Sequence, residues 1–213
     1  MPDLSTPTRK PDRYLHERAA LDQLLDTMPV GVLSTVVDGE PWSVPLLVAR
    51  DGDHVLLHGS TGAGALRHVG AGAPVTLTVV ALDGLVVAES AFDSSANYRS
   101  AVLRGTPVEL GPQESREALE RLTDRLLPGR TSEVRPSTGK ELRSTACLAL
   151  PIVEGSWLLK ARTGGTEPAE DPAVWTGVVP LALTAGTPEP TPGTTAPVPA
   201  SVGATRAAYP PPG

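Results

Sequence analysis

A chain of 213 residues, 40% of them hydrophobic, can bury one well-packed core and carry an appendage. Its formal net charge of −6 argues against a nucleic-acid backbone as partner, and its one cysteine, Cys147, excludes an internal disulfide or a cysteine-based metal site. The N-terminus lacks the apolar core of a signal peptide, and no run reaches the roughly 20 apolar residues of a membrane helix, so a cytoplasmic protein with no membrane partner is expected.

In chain order, residues 1–12 are polar and Pro-rich and predict a loose arm. Leu15, Ala19, Leu21, Leu24 and Leu25 recur at helical spacing, which predicts a helix over 13–27, stopped by Pro29. Residues 30–37 read as a strand, Asp38-Gly39 as a hairpin turn, and 42–49 as the returning strand. Asp51-Gly52 is the next turn and 55–58 the third strand of a meander. A small-residue loop from Thr61 to Ala65 follows, then a short segment to Val69. Residues 75–80 and 85–88 read as two strands about a turn at Asp83-Gly84. A further strand runs through Asn97 to Leu103 and on past Gly105 to Leu110.

Pro112 to Ser115 opens a helix that ends near Leu126, with Leu119, Leu122 and Leu126 as its apolar stripe. Residues 130–143 read as polar loop, 146–153 and 157–161 as strands, and 174–183 as a last strand bearing Trp175. From Thr187 the chain is Pro-, Thr- and Ala-rich and has little to bury, which predicts a disordered, dispensable tail. The expected organisation is an arm (1–12), one domain (13–186) and a tail (187–213). The fold class is mainly β with a few helices, an antiparallel sheet or barrel.

Several chemistries are excluded by spacing. There is no GxSxG, the four histidines lack HExxH spacing, and Gly62-Ala63-Gly64-Ala65 lacks the GxGxxG of a dinucleotide fold. Two polar stretches remain, His58-Gly59-Ser60 and Asn97-Tyr98-Arg99-Ser100. His58 ends an apolar strand, where it is either a histidine satisfied by backbone or part of a ligand site. In the second reading Gly59 permits close approach, and Ser60 with nearby backbone N–H groups receives an anion. Arg99 suits either a structural carboxylate or a phosphate.

The ordered series VGVLSTVVDGEPWSVPLLVARDGDHVLLHGS, LDGLVVAESAFDSSANYRS, LPGRTSEVRPSTGKELRSTACLALPI, KARTGG and VWTGVVPL resembles one family. It is similar to the flavin-nucleotide-binding, nitroimidazole-resistance-like branch of the pyridoxamine 5′-phosphate oxidase-like superfamily. The resemblance implies an FMN-binding split β-barrel, a homodimer with flavin at the subunit interface, and flavin-dependent oxidoreduction of a small molecule. The alternatives are a non-catalytic flavin, deazaflavin or haem binding protein on the same barrel, and a barrel that has lost its cofactor. By position, Val44, Pro45 and Leu46 would present backbone to the flavin ring, and His58, Gly59 and Ser60 would flank the flavin and its phosphate. Arg99 and Ser100 would face the cofactor, Lys160 and Arg162 match a basic pair near the site, and Trp175 matches a C-terminal aromatic. Gly64-Ala65 stands where many relatives carry Arg-Lys, and Arg67 lies one short turn downstream to supply the charge. Asp93 stands where close relatives often carry His. His58 is the best acid–base candidate, because its pKa can lie near neutrality.

Overall fold

In the computed structural model, which describes residues 9–211, the chain starts with a 3-10 turn at Pro11–Arg13 and strand β1 (Tyr14–Leu15). Helix α1 (Arg18–Thr27) leads into β2 (Val30–Val37), β3 (Glu40–Asp51) and β4 (His54–Ser60). Then come α2 (Gly64–Gly70), β5 (Val75–Val87), β6 (Ser95–Gly105), β7 (Val108–Glu109) and α3 (Pro112–Leu126). The rest of the chain holds α4 (Gly139–Arg143), β8 (Thr145–Pro151), β9 (Trp157–Arg162), β10 (Gly177–Pro180) and α5 (Ala200–Ala208).

The strands form one antiparallel sheet in the order β1-β9-β6-β5-β2-β3-β4-β8-β7, with β10 paired to β5. It curls around a single core without closing, which makes it a split barrel. Leu33, Val55, Leu57, Leu77, Leu103, Leu150 and Leu159 meet inside. Leu21, Leu24 and Leu25 of α1, and Leu66 and Val69 of α2, pack into the same core. Outside, α3 lays Ala118 and Leu122 over Ala49, Leu56, Cys147 and Ala149. The hairpin turn at Asp38-Gly39 has positive φ at both residues (53° and 85°), the backbone that Asp-Gly accepts at low cost.

The structure departs from expectation at several places. The strand expected over 174–183 shrinks to β10 (Gly177–Pro180), which leaves Trp175 outside it. The predicted helix 13–27 begins only at Arg18, because Tyr14 and Leu15 pair with Lys160 and Leu159 of β9. Asp83-Gly84 is no turn: β5 runs through it with a register shift against β6. A Cβ on Gly84 would lie 3.0 Å from the Val179 carbonyl oxygen, so glycine lets β10 cross close by. Thr106 to Leu110 does not prolong β6; Val108 and Glu109 turn to pair with β8. The loop 130–143 contains a 3-10 turn and α4, whose start is a capping box between Thr138 and Glu141. Residues 1–8 of the expected arm lie outside the described residues.

Within the tail expected to be disordered, α5 (Ala200–Ala208) forms, and the Tyr209 carbonyl after it accepts from Ala185 N–H. Ser201 of α5 is buried and donates twice to Glu133, from its N–H (3.0 Å) and its hydroxyl (2.5 Å). These are hydrogen bonds to distant residues, which composition does not register.

Candidate functional site

The sheet parts between β3 and β4. From Glu40 to Leu47, β3 pairs with β2, and only from Val48 to Asp51 does it pair with β4. His58, Gly59 and Ser60 pair with Cys147, Ala146 and Thr145 of β8, and no described strand pairs their other edge. The opening therefore has the free edge of β3, at Val44, Pro45 and Leu46, on one side and the end of β4 on the other. Unpaired strand backbone offers hydrogen bonds to whatever enters. Val44 and Leu46 turn their side chains to the core, as strand alternation requires, while Pro45 lies on the outer face.

His58 sits at this opening, half-buried. Its Nδ1 is buried and has no hydrogen-bond partner. Burial pushes its pKa below the ordinary histidine value, so the ring is neutral near pH 7. The other histidines differ: His16 and His54 are exposed, and His68 places Nε2 2.9 Å from the Val36 carbonyl oxygen. Cys147, opposite His58, is kept a thiol by burial and donates to the Ser115 carbonyl (3.8 Å). A groove of about 600 Å³ adjoins, lined by Thr61, Thr145 and Cys147 with Arg116 and Arg143 from α3 and α4. Thr145 and Cys147 stand opposite Ser60 and His58, so the groove opens on their face of the sheet. Glu141, held at about 2 by Arg135 and by the Thr138 N–H and hydroxyl, pins the start of α4 and so the wall that carries Arg143.

The other expected residues scatter, for identifiable reasons. Gly59 does not leave room for a ligand: a Cβ there would lie 2.2 Å from Leu66 Cδ1, so glycine admits α2 against the strand. Ser60 Oγ accepts from Gly62 N–H (3.1 Å). The loop N–H groups of Thr61 and Ala63 bond to the Ser144 and Ser60 carbonyls. The expected anion nest is therefore largely satisfied internally. Arg67 is exposed on α2. Arg99 gives both Nε (3.0 Å) and an Nη (2.8 Å) to Asp83, which raises its pKa, and it faces away from its neighbour Ser100. It belongs to a separate cleft of about 370 Å³ walled by α1, α3 and the tail. Ser100, Lys160 and Arg162 share the outer face with Pro45 but lie at the far side of the sheet, on β6 and β9. Trp175 is exposed beside Gly177. Sequence reasoning missed Arg116, Arg143 and the groove; the signal available was the Thr138-to-Glu141 capping box, which makes a helix of an apparent loop.

The profile described as pyridoxamine 5′-phosphate oxidase matches residues 17–157, from the start of α1 to the start of β9. The chain belongs to that family. Its structural relatives extend the likeness over the tail as well. The FAD and haem binding protein from Mycobacterium smegmatis is 43% identical, with a TM-score of 0.87 over 91% of this chain and 97% of its own. The flavocytochrome Anf3 from Azotobacter vinelandii is 29% identical, with a TM-score of 0.85 over 94% and 95%. A protein described as a 5-nitroimidazole antibiotic resistance protein, from Bacteroides thetaiotaomicron, shares the fold at 17% identity and TM-score 0.57, over 70% and 86%. No curated protein matches the chain. Among the described residues no helix of this family member is long and apolar enough to cross a membrane. No three His, Cys, Asp or Glu side chains among those residues gather into a metal site.

Proposed function

We propose that the chain is an oxidoreductase that binds a flavin, as FAD rather than FMN, together with haem. The observation that carries this reading is the near-full-length likeness, at 43% identity, to a protein named for FAD and haem. The residues present fit both groups. His58 is half-buried and held neutral by that burial, the state in which an imidazole can ligate iron. Arg116 and Arg143 in the adjoining groove supply positive charge for the carboxylates that haem carries. The free edge of β3 at Val44 to Leu46 offers backbone groups to a flavin ring. When bound, flavin and haem supply the electron chemistry, and the protein supplies position and exclusion of water. His58 thus moves from acid–base candidate to ligand candidate.

A second copy of the chain completes this reading. Val30, Val32, Val36, Leu47, Val80 and Leu82 are exposed on one outer sheet face. A monomer rarely leaves so continuous an apolar face to water, and a partner laid on it would shield the opening beside Leu47.

The absorbance of the purified protein tests the reading. A Soret band together with flavin maxima is expected, and heat release followed by chromatography should yield FAD. His58→Ala should remove the Soret band and leave the flavin content unchanged. A protein that purifies without colour, and takes up neither added flavin nor added haemin, refutes it.

A further inference from the structure

Among the described residues seven arginines are paired with carboxylates, while other cations, Arg67, Arg104, Arg116, Arg143 and Arg206 among them, stand unpaired at scattered places. Arg18, Arg50, Arg99, Arg121, Arg125, Arg130 and Arg135 each form an ion pair. Among the described residues, Arg9, Lys10, Arg13, Lys160 and Arg162 form none, yet these five cations line a single groove of about 510 Å³. The protein as a whole carries a net charge of −6. Like charges repel, so gathering five of them without carboxylate partners costs free energy unless an anion is bound there.

The arrangement is built rather than incidental. Lys10 takes a left-handed backbone (φ 54°), and its carbonyl accepts from Arg13 N–H (3.1 Å), which closes the Pro11–Arg13 turn. The chain then enters β1, where Tyr14 pairs with Lys160. Lys160 Nζ lies 5.8 Å from the ring centres of both Tyr14 and Tyr98, which holds its charge in place over two aromatic faces. Arg162 stands opposite Tyr98 on the same sheet face and donates to the Ala96 carbonyl (3.4 Å). Among the described residues the one carboxylate lining the groove, Asp93, accepts from the Ser90 hydroxyl (2.6 Å). Phe92, 95% exposed, stands beside it. An apolar ring held in water at a cationic groove is unfavourable for the free protein and suited to stacking on a flat ligand.

We propose that this groove binds the phosphates of an aromatic nucleotide, with the ring against Phe92 or the tyrosines. The ligand class follows from the two requirements: several negative charges within reach of forked and point cations, and a planar ring. Two sources meet them, the diphosphate half of the flavin dinucleotide itself and a free reducing dinucleotide. The groove lies on the outer sheet face with Ser100, which pairs with Lys160 and Val80, and β6, β5 and β2 separate it from the β3 edge where the flavin ring is proposed. The inference extends the flavin reading without depending on it.

The test compares the wild type with Lys160→Gln/Arg162→Gln, with the exposed pair Arg9→Gln/Lys10→Gln, and with the remote, exposed Arg206→Gln as control. Flavin content of each purified protein is measured by chromatography, and ADP binding by calorimetry at low and high salt. If the groove holds the dinucleotide's own diphosphate, flavin content falls about fivefold or more in the charge-reduced variants, and ADP does not bind the loaded wild type. If it takes a free nucleotide, flavin content is unchanged. ADP then binds the wild type, more tightly at low salt, and the variants lose about tenfold in affinity. Unchanged flavin content together with unchanged or absent ADP binding overturns the proposal, as does an equal loss in Arg206→Gln. Should the strand pair unfold, the exposed pair decides in the same way. A protein without flavin or haem that still binds ADP here sinks the function proposed above and leaves the groove standing.

Discussion

At the residue scale, His58, Gly59 and Arg99 each do something that their neighbours in sequence do not announce. His58 has its pKa lowered by burial. The unfolded chain therefore binds a proton that the folded one refuses, and stability falls as pH drops through the ordinary value of about 6.5 toward the lower folded value. In the haem-free protein, ring proton shifts in NMR should titrate below about 6.5; a midpoint at or above it would contradict the burial argument. Gly59→Ala should cost about 1–3 kcal/mol by overpacking against Leu66. Combining it with Leu66→Ala should cost less than the sum of the two single changes, because each makes room for the other; strict additivity in urea unfolding would argue against the contact. Arg99 is bound to Asp83, both side chains about one-third exposed. Arg99→Gln should lower stability by ~1 kcal/mol and leave flavin and haem content intact. Loss of cofactor in that variant would restore Arg99 to the binding site.

At the element scale, α5 is the segment whose sequence and structure disagree most. Ser201 lowers the Glu133 pKa through hydrogen bonds from its hydroxyl and its N–H. A lowered carboxylate pKa means that the docking contribution is present above the ordinary glutamate range and is lost as pH falls through the lower folded value. Hydrogen-exchange protection factors over residues 200–208, corrected for the intrinsic rate at each pH, should therefore fall in acid, and should already be low at neutral pH in Glu133→Gln. Truncation after Gly186 should lower the melting temperature and open the cleft that Leu183 and Tyr209 help to wall. An unchanged melting temperature would return the tail to the dispensable status its composition suggests.

At the scale of the whole molecule, the exposed face carrying Val30, Val32 and Leu47 predicts a homodimer. Light scattering at micromolar concentration should give twice the 22.1 kDa of one chain. Val32→Glu, placed mid-face opposite Pro45 and Thr78, should yield a folded monomer with reduced cofactor content. A wild type that is monomeric with its cofactors in place would show that the face serves something else.

What the sequence by itself determined was local: the meander of β2, β3 and β4, the Asp38-Gly39 turn and the extent of α3. Strand alternation, turn chemistry and helical spacing are short-range patterns, and each is written within about ten residues. The quoted motifs also carried the family. Only the tertiary structure decided where β3 leaves β4, since that depends on which edges find partners across the curled sheet. The same holds for Arg99, turned from Ser100 by strand alternation and claimed by Asp83 sixteen residues away. It also holds for Arg9, Lys10 and Arg13, brought to Lys160 by the pairing of β1 with β9. Contacts between residues so far apart in the chain are set by the packing of the whole core, and no local pattern encodes them.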